Sequence, residues 1–191
     1  AQAVPLALHV GYWDYLGWKD PYADPAFAGR QEALVRANRQ RTLYTPQFFV
    51  NGIELRASRT SLREAVRRLN ETPAAAKIHL SASAPGKDML RLSARASAPG
   101  RAPLDLYVAL AESELVSRVA RGENAGVTLE HDHVVRQWLG PVRFTGGAAH
   151  LERELPLPAA WNRSHLELAA FVQDPATGRV LQAVGGQCDA L

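Results

Sequence analysis

The sequence predicts an α+β protein, with an α/β region up to about residue 72 and a β-rich region over residues 77–191. Three observations predict this. Residues 4–10 form a short apolar run that ends at a glycine, which is typical of a buried strand. Two stretches with helical periodicity follow before residue 72. From residue 77, apolar and polar residues alternate in short segments between turn signals, which is typical of a β-sandwich.

The two helices are predicted from capping signals and from apolar spacing. The first covers residues 25–40, because Asp24 is a favourable N-cap and Pro25 occupies the first helical position. The second begins within residues 58–61 and ends near Asn70. Its apolar residues have the i, i+3, i+4, i+7 spacing of an amphipathic helix and are Leu62, Ala65, Val66 and Leu69.

A β-hairpin is predicted between the two helices. Residues 47–50 and 53–56 are its strands, and the Asn51-Gly52 dipeptide between them is a strong signal for a type I′ turn. Thr45-Pro46 precedes the first strand, a position where proline is tolerated. Position alone favours a trans peptide bond, because cis is the minority form of X-Pro.

The β-rich region is predicted to contain seven to nine short strands. Residues 111–119 fit either a strand or a helix. The predicted strands cover residues 77–84, 89–96, 105–111, 127–138, 142–145, 149–155, 166–172 and 179–184.

The charge composition of the chain excludes one class of binding partner. The chain has 22 Lys and Arg residues against 19 Asp and Glu residues, a net charge of +3, without a basic stripe interleaved with aromatic residues. We therefore expect no nucleic-acid partner. No apolar segment approaches the length of a transmembrane helix, and no signal peptide is present in these residues.

Cys188 is the single cysteine of the chain. A C-x-x-C motif, an intrachain disulfide and a cysteine-based zinc site are therefore excluded within these residues. A lone cysteine indicates either a thiol that pairs with a partner elsewhere or a buried, inert thiol.

The candidate binding residues follow the end of the first predicted strand and are His9, Tyr12, Trp13, Asp14 and Trp18. In an open α/β sheet, ligands bind beyond the carboxyl ends of the strands, so this loop is predicted to bind a protein or a small ligand. The alternative is that the aromatic residues form a small core under a long loop, with the aspartates as caps or turn residues. An acid–base pair of His9 and Asp14 is a further hypothesis.

His131 and His133 are the candidates for metal ligation. Their i, i+2 spacing would place both on one face of a strand, and His150 would join them only through a tertiary contact. Histidines at such positions are more often surface residues, so neither a metal site nor a cofactor is predicted. Glu123 and Asn124 lie between two glycines and indicate a loop.

Five motifs resemble, in order, those of a family of exported bacterial proteins of unknown function. They are HVGYWDYLGWKDPYADPAFAGRQ, YTPQFFVNG, RGENAG, HDHVVR and AAFVQDPATGRVLQA. The resemblance covers nearly the whole chain and implies a thioredoxin-like domain followed by a small β domain, in a periplasmic or secreted protein. It also implies that Thr45-Pro46 is the cis-proline of the thioredoxin fold, so both residues join the candidate binding set.

The chain departs from the family pattern in two places. Gly11 stands where the family motif H-V-D-Y-W-D has its first aspartate, and the strand and C-x-x-C motif that open such proteins are missing. The prediction is therefore a truncated thioredoxin-like α/β domain at residues 1–72 and a β-sandwich domain at residues 77–191.

Two functions follow from the resemblance and from the residues themselves. The first is thiol–disulfide chemistry in the cell envelope by a full-length form. The alternative is a non-catalytic binding module that uses the aromatic loop and the β-sandwich. We do not expect the given chain to be an active enzyme, because it has no C-x-x-C motif. Loss of a first strand and helix would expose an edge, which predicts a partner, a homodimer or poor stability.

Overall fold

The computed structural model of the protein describes residues 3–56, 59–100, 102–122 and 124–188, and most of its regular structure is antiparallel β-sheet. In chain order the described elements are α1 Pro25–Ala37, β1 Phe49–Val50, β2 Ile53–Glu54, α2 Arg59–Asn70, β3 Lys77–Gly86, β4 Met89–Ser97, β5 Asp105–Glu112, β6 Leu115–Arg118, β7 Thr128–His131, β8 Val134–Arg143, β9 Ala148–Pro156, β10 Leu166–Gln173 and β11 Val180–Gln187, with 3-10 turns at Asp14–Leu16 and Arg163–His165.

Two of the sheets pack face to face around the main core. One has the strand order β11-β10-β5-β8 and the other has the order β3-β4-β9. Strand β4 alternates buried and exposed residues, as expected for a strand with one face in a core and one in solvent. The core side chains include Leu90 and Leu92 from β4, Leu106 from β5 and Leu166 from β10, all fully buried.

The central strands of the four-stranded sheet are buried on both faces. Every residue of β5 and nearly every residue of β10 is buried, without the alternation seen in β4. Side chains on the outer face, among them Ala109, Val135 and Ala169, form a second small core with Phe27 of α1. The N-terminal region therefore acts as a third layer on this sheet.

Residues 4–10 cross the outer face of the sheet and do not form a strand, so this strand prediction is wrong. The segment makes one parallel bridge, in which Ala7 pairs with Val134, the first residue of β8. Its even-numbered side chains, Val4, Leu6, Leu8 and Val10, pack against the second core. At the opposite edge of the sheet, a Cβ on Gly185 would lie 2.8 Å from Val4, so glycine permits this crossing.

The predicted fold class, a truncated thioredoxin-like α/β domain followed by a β-sandwich, is wrong. Among the described residues before β3, the only strands are the two-residue β1 and β2, which pair with each other. Such a hairpin cannot bury a helix, so α1 packs on the four-stranded sheet of the β-rich region. The apolar run at residues 4–10 was misleading, because the segment is buried by packing across the strands of the sheet and does not pair along a strand.

Several local predictions are confirmed. Helix α1 follows the Asp24 cap, whose side chain accepts a hydrogen bond from the Ala26 amide. Helix α2 ends at Asn70 as expected, although Ser58 lies outside the described residues. Asn51 and Gly52 both have positive φ, as a type I′ turn requires. The Thr45–Pro46 peptide is cis, as the resemblance implied, and Gly140–Pro141 is also cis.

Two strand predictions fail at turns. Residues 127–138 form β7 and the first part of β8, with a tight turn at Asp132 and His133, and the φ angle of His133 is 57°. Residues 142–143 continue β8 and do not begin a new strand. The ambiguous segment 111–119 divides between the end of β5 and the strand β6. A run of apolar and polar residues does not reveal a two-residue turn that contains neither glycine nor proline.

Arg30 on α1 binds side chains on the outer face of the four-stranded sheet. Its guanidinium lies 4.8 Å from the ring centroid of Tyr107 and also faces the rings of Trp138 and Phe171. It donates a hydrogen bond of 2.6 Å to the side chain of Gln173, which is 2% exposed. The same Arg30 therefore makes cation–π contacts and satisfies a buried acceptor.

We expect Arg30→Met to lower the free energy of unfolding by about 2–4 kcal/mol, because it removes the hydrogen bond to the buried Oε1 of Gln173 and the cation–π contacts. The measurement is urea unfolding followed by circular dichroism. The control is Arg36→Met on the same helix, where the side chain is 71% exposed and paired only with Glu32. That variant should lose less than about 0.5 kcal/mol, and equal losses in both would contradict the role of Arg30.

Candidate functional site

His9 is paired with Asp20 and not with Asp14. Nδ1 of His9 lies 2.7 Å from Oδ2 of Asp20. Asp14 instead accepts a hydrogen bond of 3.1 Å from the backbone amide of Asp20, and the amide of Tyr22 donates to Oδ1 of Asp20. The structure therefore does not bring together the acid–base pair expected of His9 and Asp14, and Asp14 acts by holding the turn that presents Asp20.

A second histidine packs on this pair. The ring centroids of His9 and His131 are 5.2 Å apart, and Tyr22 lies edge-on to both rings. Nε2 of His131 is 3.1 Å from the hydroxyl of Ser117, which is buried. The N-terminal loop and the β6–β7 hairpin thus meet through the two imidazoles. We call the five residues at this contact the histidine cluster: His9, Asp20, Tyr22, Ser117 and His131.

The environment shifts the pKa values of two members of the histidine cluster. Burial and the neighbouring His9 lower the pKa of His131. Burial acts to raise the pKa of Asp20, but hydrogen bonds from His9 and from the Tyr22 amide outweigh it, so the pKa of Asp20 is lowered. The cluster is therefore most stable with Asp20 ionised and His131 neutral.

His133 faces a different site from His131. Its Nδ1 lies 2.8 Å from Oε2 of Glu167, and the hydroxyl of Ser113 donates to the other oxygen of Glu167. The turn at residues 132–133 separates the two histidines, so they do not share a strand face as the spacing predicted. His150 lies on β9 of the other sheet. Among the described residues, no cluster of three or more His, Cys, Asp or Glu side chains has a metal-binding arrangement.

The predicted residues Trp13, Thr45 and Pro46 lie together. The indole Nε1 of Trp13 donates a hydrogen bond of 2.9 Å to the hydroxyl of Thr45. Tyr15 continues this patch, with its ring centroid 6.2 Å from that of Trp13. We call the exposed patch formed by Trp13, Tyr15, Tyr44, Pro46 and Phe48 the aromatic surface.

A depression of about 450 Å³ opens on the aromatic surface. Tyr44, Pro46 and Phe48 line it from one segment, and Leu55 and Arg56 line it from the segment that follows β2. Its walls are therefore mostly apolar, with one guanidinium at the edge. A mostly apolar lining with a few polar groups is common to binding sites, and the open form of this depression suits a surface contact.

A chain of polar side chains supports the depression from below. The hydroxyl of Tyr12 donates to Gln31 on α1, and the Gln31 amide donates to Gln47 at 2.7 Å. Gln47 in turn donates to Glu54, which also accepts from the Tyr44 hydroxyl at 2.7 Å. These contacts tie the aromatic loop, α1 and the hairpin into one unit.

Glu54 is the acceptor at the end of that chain. Its side chain is 6% exposed and also pairs with Arg56 at 3.1 Å. Burial acts to raise the pKa of Glu54, but hydrogen bonds from Gln47, Tyr44 and Arg56 outweigh it and lower the pKa. The same bond to Glu54 raises the pKa of the Tyr44 hydroxyl. Glu54 is therefore an ionised support of the site.

Trp18 and the glycine-rich loop after β6 contact each other, so the structure places Trp18 apart from the depression. Gly122 has a φ of 81°, and a Cβ there would lie 2.9 Å from the carbonyl oxygen of Leu16 and 3.5 Å from Cβ of Trp18. Glycine is thus needed where the two loops meet. Asn124 lies in this loop, as predicted, and Glu123 lies outside the described residues.

Sequence reasoning missed several members of the site, among them Asp20 and Glu54. The aspartates of the loop were considered only as caps or turn residues, and neither the packing of His131 on His9 nor the support by Glu54 was expected. The His9–His131 contact joins residues far apart in sequence, so no local pattern signals it. Glu54 gave a weak signal, because it is an acidic residue in a predicted strand next to an Asn-Gly turn.

Comparison with known proteins gives one family and a small number of structures. The family described as Protein of unknown function (DUF1223) matches residues 1–173, which confirms the expectation of a family of unknown function. No curated protein matches this chain.

Neither helix described in the structure has the length and hydropathy needed to span a bilayer.

Two solved structures illustrate how far the similarity extends. The crystal structure of a structural-genomics protein from Agrobacterium tumefaciens is 22% identical, covers 97% of this chain and 81% of its own, and has a TM-score of 0.58. A domain of the outer membrane lipoprotein Omp28 from Porphyromonas gingivalis is 16% identical, covers 61% and 89%, and has a TM-score of 0.43. The similarity to the Agrobacterium protein supports the fold of this chain and carries no statement about its function.

We expect Gly11→Asp to destabilise the loop. A Cβ at Gly11 would lie 3.3 Å from Oδ2 of Asp14, so a new carboxylate there would repel the one that holds Asp20. The isosteric Gly11→Asn variant is the control. At pH 7 the aspartate variant should be less stable than the asparagine variant by about 1 kcal/mol in urea unfolding. The difference should vanish near pH 3, and a difference that persists there would contradict charge repulsion as the cause.

We expect the protonation of His131 to lower the stability of the protein as the pH falls below about 6.5. The pKa of His131 is lowered in the folded state, so its stabilising contribution is present above its ordinary value of 6.5 and is lost as the pH falls through the folded value. His131→Gln should flatten this part of the profile of unfolding free energy against pH.

His165→Gln is the control for His131→Gln, because the charged group nearest His165 is the carboxylate of Glu114, at 3.4 Å, and not a second imidazole. This variant should not flatten the profile. A His131→Gln profile with the same slope as the unsubstituted protein would contradict the role of the histidine cluster.

Proposed function

The chain belongs to the family Protein of unknown function (DUF1223), and from the geometry of its site we propose that it is a non-catalytic binding module. The aromatic surface holds an extended peptide segment of another protein, one that combines apolar and acidic side chains. The observation that carries this proposal is the mostly apolar depression lined by Tyr44, Pro46 and the exposed Phe48.

Large apolar side chains are unevenly exposed over the molecule. Nine are exposed in the part of the chain that the structure describes, and six of these lie within residues 13–53. Phe48, at 51% exposure, lines the depression, and Tyr15 is 76% exposed. A concentrated exposed apolar patch marks an interaction site more often than scattered single residues do. The six are Trp13, Tyr15, Leu16, Leu43, Phe48 and Ile53.

The charge of the same region favours an acidic partner. Residues 1–72 contain 10 Lys and Arg residues against 7 Asp and Glu residues, whereas residues 73–191 contain 12 of each. The whole net charge of +3 therefore lies in the part of the chain that carries the aromatic surface. Arg56 is the cation at the edge of the depression, and since Glu54 already pairs with it, the preference for an acidic partner rests on the charge of the whole region.

The hairpin beside the depression favours an extended ligand. Strands β1 and β2 pair with each other, and no third strand joins them among the described residues. On β2 the Glu54 amide already donates to the Asn38 side chain, so an extended peptide would pair through its backbone with the β1 edge, while alternate side chains enter the depression. The polar chain from Tyr12 to Glu54 keeps the hairpin in place, so little ordering is needed on binding.

A thiol–disulfide function has less support than binding. The thiol of Cys188 is 4% exposed, and its backbone amide donates to the Leu166 carbonyl at the end of the four-stranded sheet. Exchange with a protein disulfide needs an accessible thiolate, and a cycle needs a second cysteine. Export to the cell envelope is proposed from the sequence resemblance alone.

The proposal is tested with an array of 12-residue synthetic peptides in which net charge and apolar content vary independently. We expect peptides that are both acidic and apolar to bind with micromolar dissociation constants, measured by fluorescence anisotropy. Phe48→Ser should weaken the best peptide by about tenfold, because it removes an apolar wall of the depression.

The control is Val116→Ser, which removes a side chain of 57% exposure on β6, away from the depression. It should bind peptides as the unsubstituted chain does. Equal weakening by both variants, or binding that depends on charge alone, would overturn the proposal. A concentration-dependent dimer that Phe48→Ser abolishes would assign the aromatic surface to a second copy of the chain instead.

A further inference from the structure

A row of cationic side chains crosses the outer face of the three-stranded sheet. The registers pair His79 with Arg95 and Arg95 with His150, so the three residues lie side by side on β3, β4 and β9. All three are exposed. Lys77 lies two residues before His79 on the same face of β3. We call His79, Arg95 and His150 the cationic row.

Arg95 has no counter-ion, unlike its neighbour on the same strand. Arg91 pairs with Glu154 across the strands, with Nη2 and Oε1 2.5 Å apart. Arg95 makes no ion pair or hydrogen bond within the described residues, and its cross-strand partners are both imidazoles. The nearest carboxylate contact of the row is Glu152, 4.0 Å from Nε2 of His150.

Like charges placed directly opposite each other on a sheet are destabilising. When both imidazoles are protonated, three positive charges lie in one row, on residues whose cross-strand Cβ atoms are about 4.5–5.5 Å apart. A bound dianion removes this repulsion and accepts hydrogen bonds from all three side chains. The row is therefore better suited to an anion than to solvent alone.

The cationic row borders a depression of about 510 Å³ at the same end of the sheet. Its lining also includes Lys77, Ser97 and Ala148 on the same face, whereas the side chains of the intervening residues Ile78, Ala96 and Ala149 face the main core. The space is large enough for a tetrahedral oxyanion.

We propose that this depression is a binding site for a tetrahedral dianion, a sulfate or a phosphate monoester, held by His79, Arg95 and His150. The site lies on the three-stranded sheet and shares no residue with the aromatic surface, so it does not depend on the proposed function. Arg95 supplies a permanent positive charge, and the two histidines add charge only when they are protonated.

Binding should weaken as the pH rises, because histidine side chains lose their charge between about pH 5 and 8. The other charged groups that face the row are Lys77 on β3 and Glu152 on β9. Lysine and glutamate are not residue types whose charge change defines this pH range, so the expected direction follows from the histidines.

The test is isothermal titration with inorganic sulfate, whose charge is constant over this pH range, at fixed ionic strength. We expect binding at pH 5.5 that weakens about tenfold or more by pH 8. Arg95→Gln should weaken sulfate binding at pH 5.5 by at least about tenfold. The double variant His79→Gln, His150→Gln should retain weak binding that no longer depends on pH.

Arg91→Gln is the matched control, since it removes the same charge from the same face of β4 at a site already paired with Glu154. It should bind sulfate within about twofold of the unsubstituted protein. The thermal unfolding of each variant shows whether it is folded. A sulfate dissociation constant above about 10 mM at pH 5.5 would overturn the proposal. Equal losses in Arg91→Gln and Arg95→Gln would do so as well.

Vesicles of phosphatidic acid, with phosphatidylcholine vesicles as the reference, distinguish the sources of the anion. Binding to free sulfate and phosphate alone assigns a soluble ligand to the site. Additional binding to phosphatidic acid vesicles that Arg95→Gln abolishes assigns a lipid headgroup.

Discussion

The outer face of the four-stranded sheet must be covered, and the rest of the structure depends on this. Strands β5 and β10 carry apolar side chains on both faces, so the three-stranded sheet alone cannot remove them from water. Residues 4–10 and helix α1 supply the second cover, with Phe27 in the small core and Arg30 over the aromatic rings. The N-terminal region is therefore held by the β-rich region and needs no sheet of its own.

This arrangement determines where the polar groups of the N-terminal region lie. Because residues 4–10 cross the sheet toward the start of β8, the following loop meets the β6–β7 hairpin, and His9 packs on His131. On the other side, Gln31 on α1 connects the loop to the hairpin that carries Glu54. Two polar networks thus support one apolar surface, and the ionisable groups in them serve mainly to fix its shape.

The two proposed binding sites differ in the physical basis of recognition. The aromatic surface offers apolar area with a cation at its edge, so its affinity would come from burial and its specificity from shape and charge. The cationic row offers charge on a flat sheet face, so its affinity would depend on salt and pH. They lie on different layers of the molecule, one on the N-terminal cover and the other on the three-stranded sheet.

The sequence by itself determined the elements that depend on local chemistry. The Asp24 cap, the Asn51-Gly52 turn and the spacing of α2 each act within a few residues, so their signals are readable without a partner. Only the tertiary structure decided what buries residues 4–10, which acid pairs with His9, and that His131 and His133 face different sites. An apolar run shows only that the segment must be buried, and most of the surface that buries residues 4–10 lies about a hundred residues or more away in the sequence.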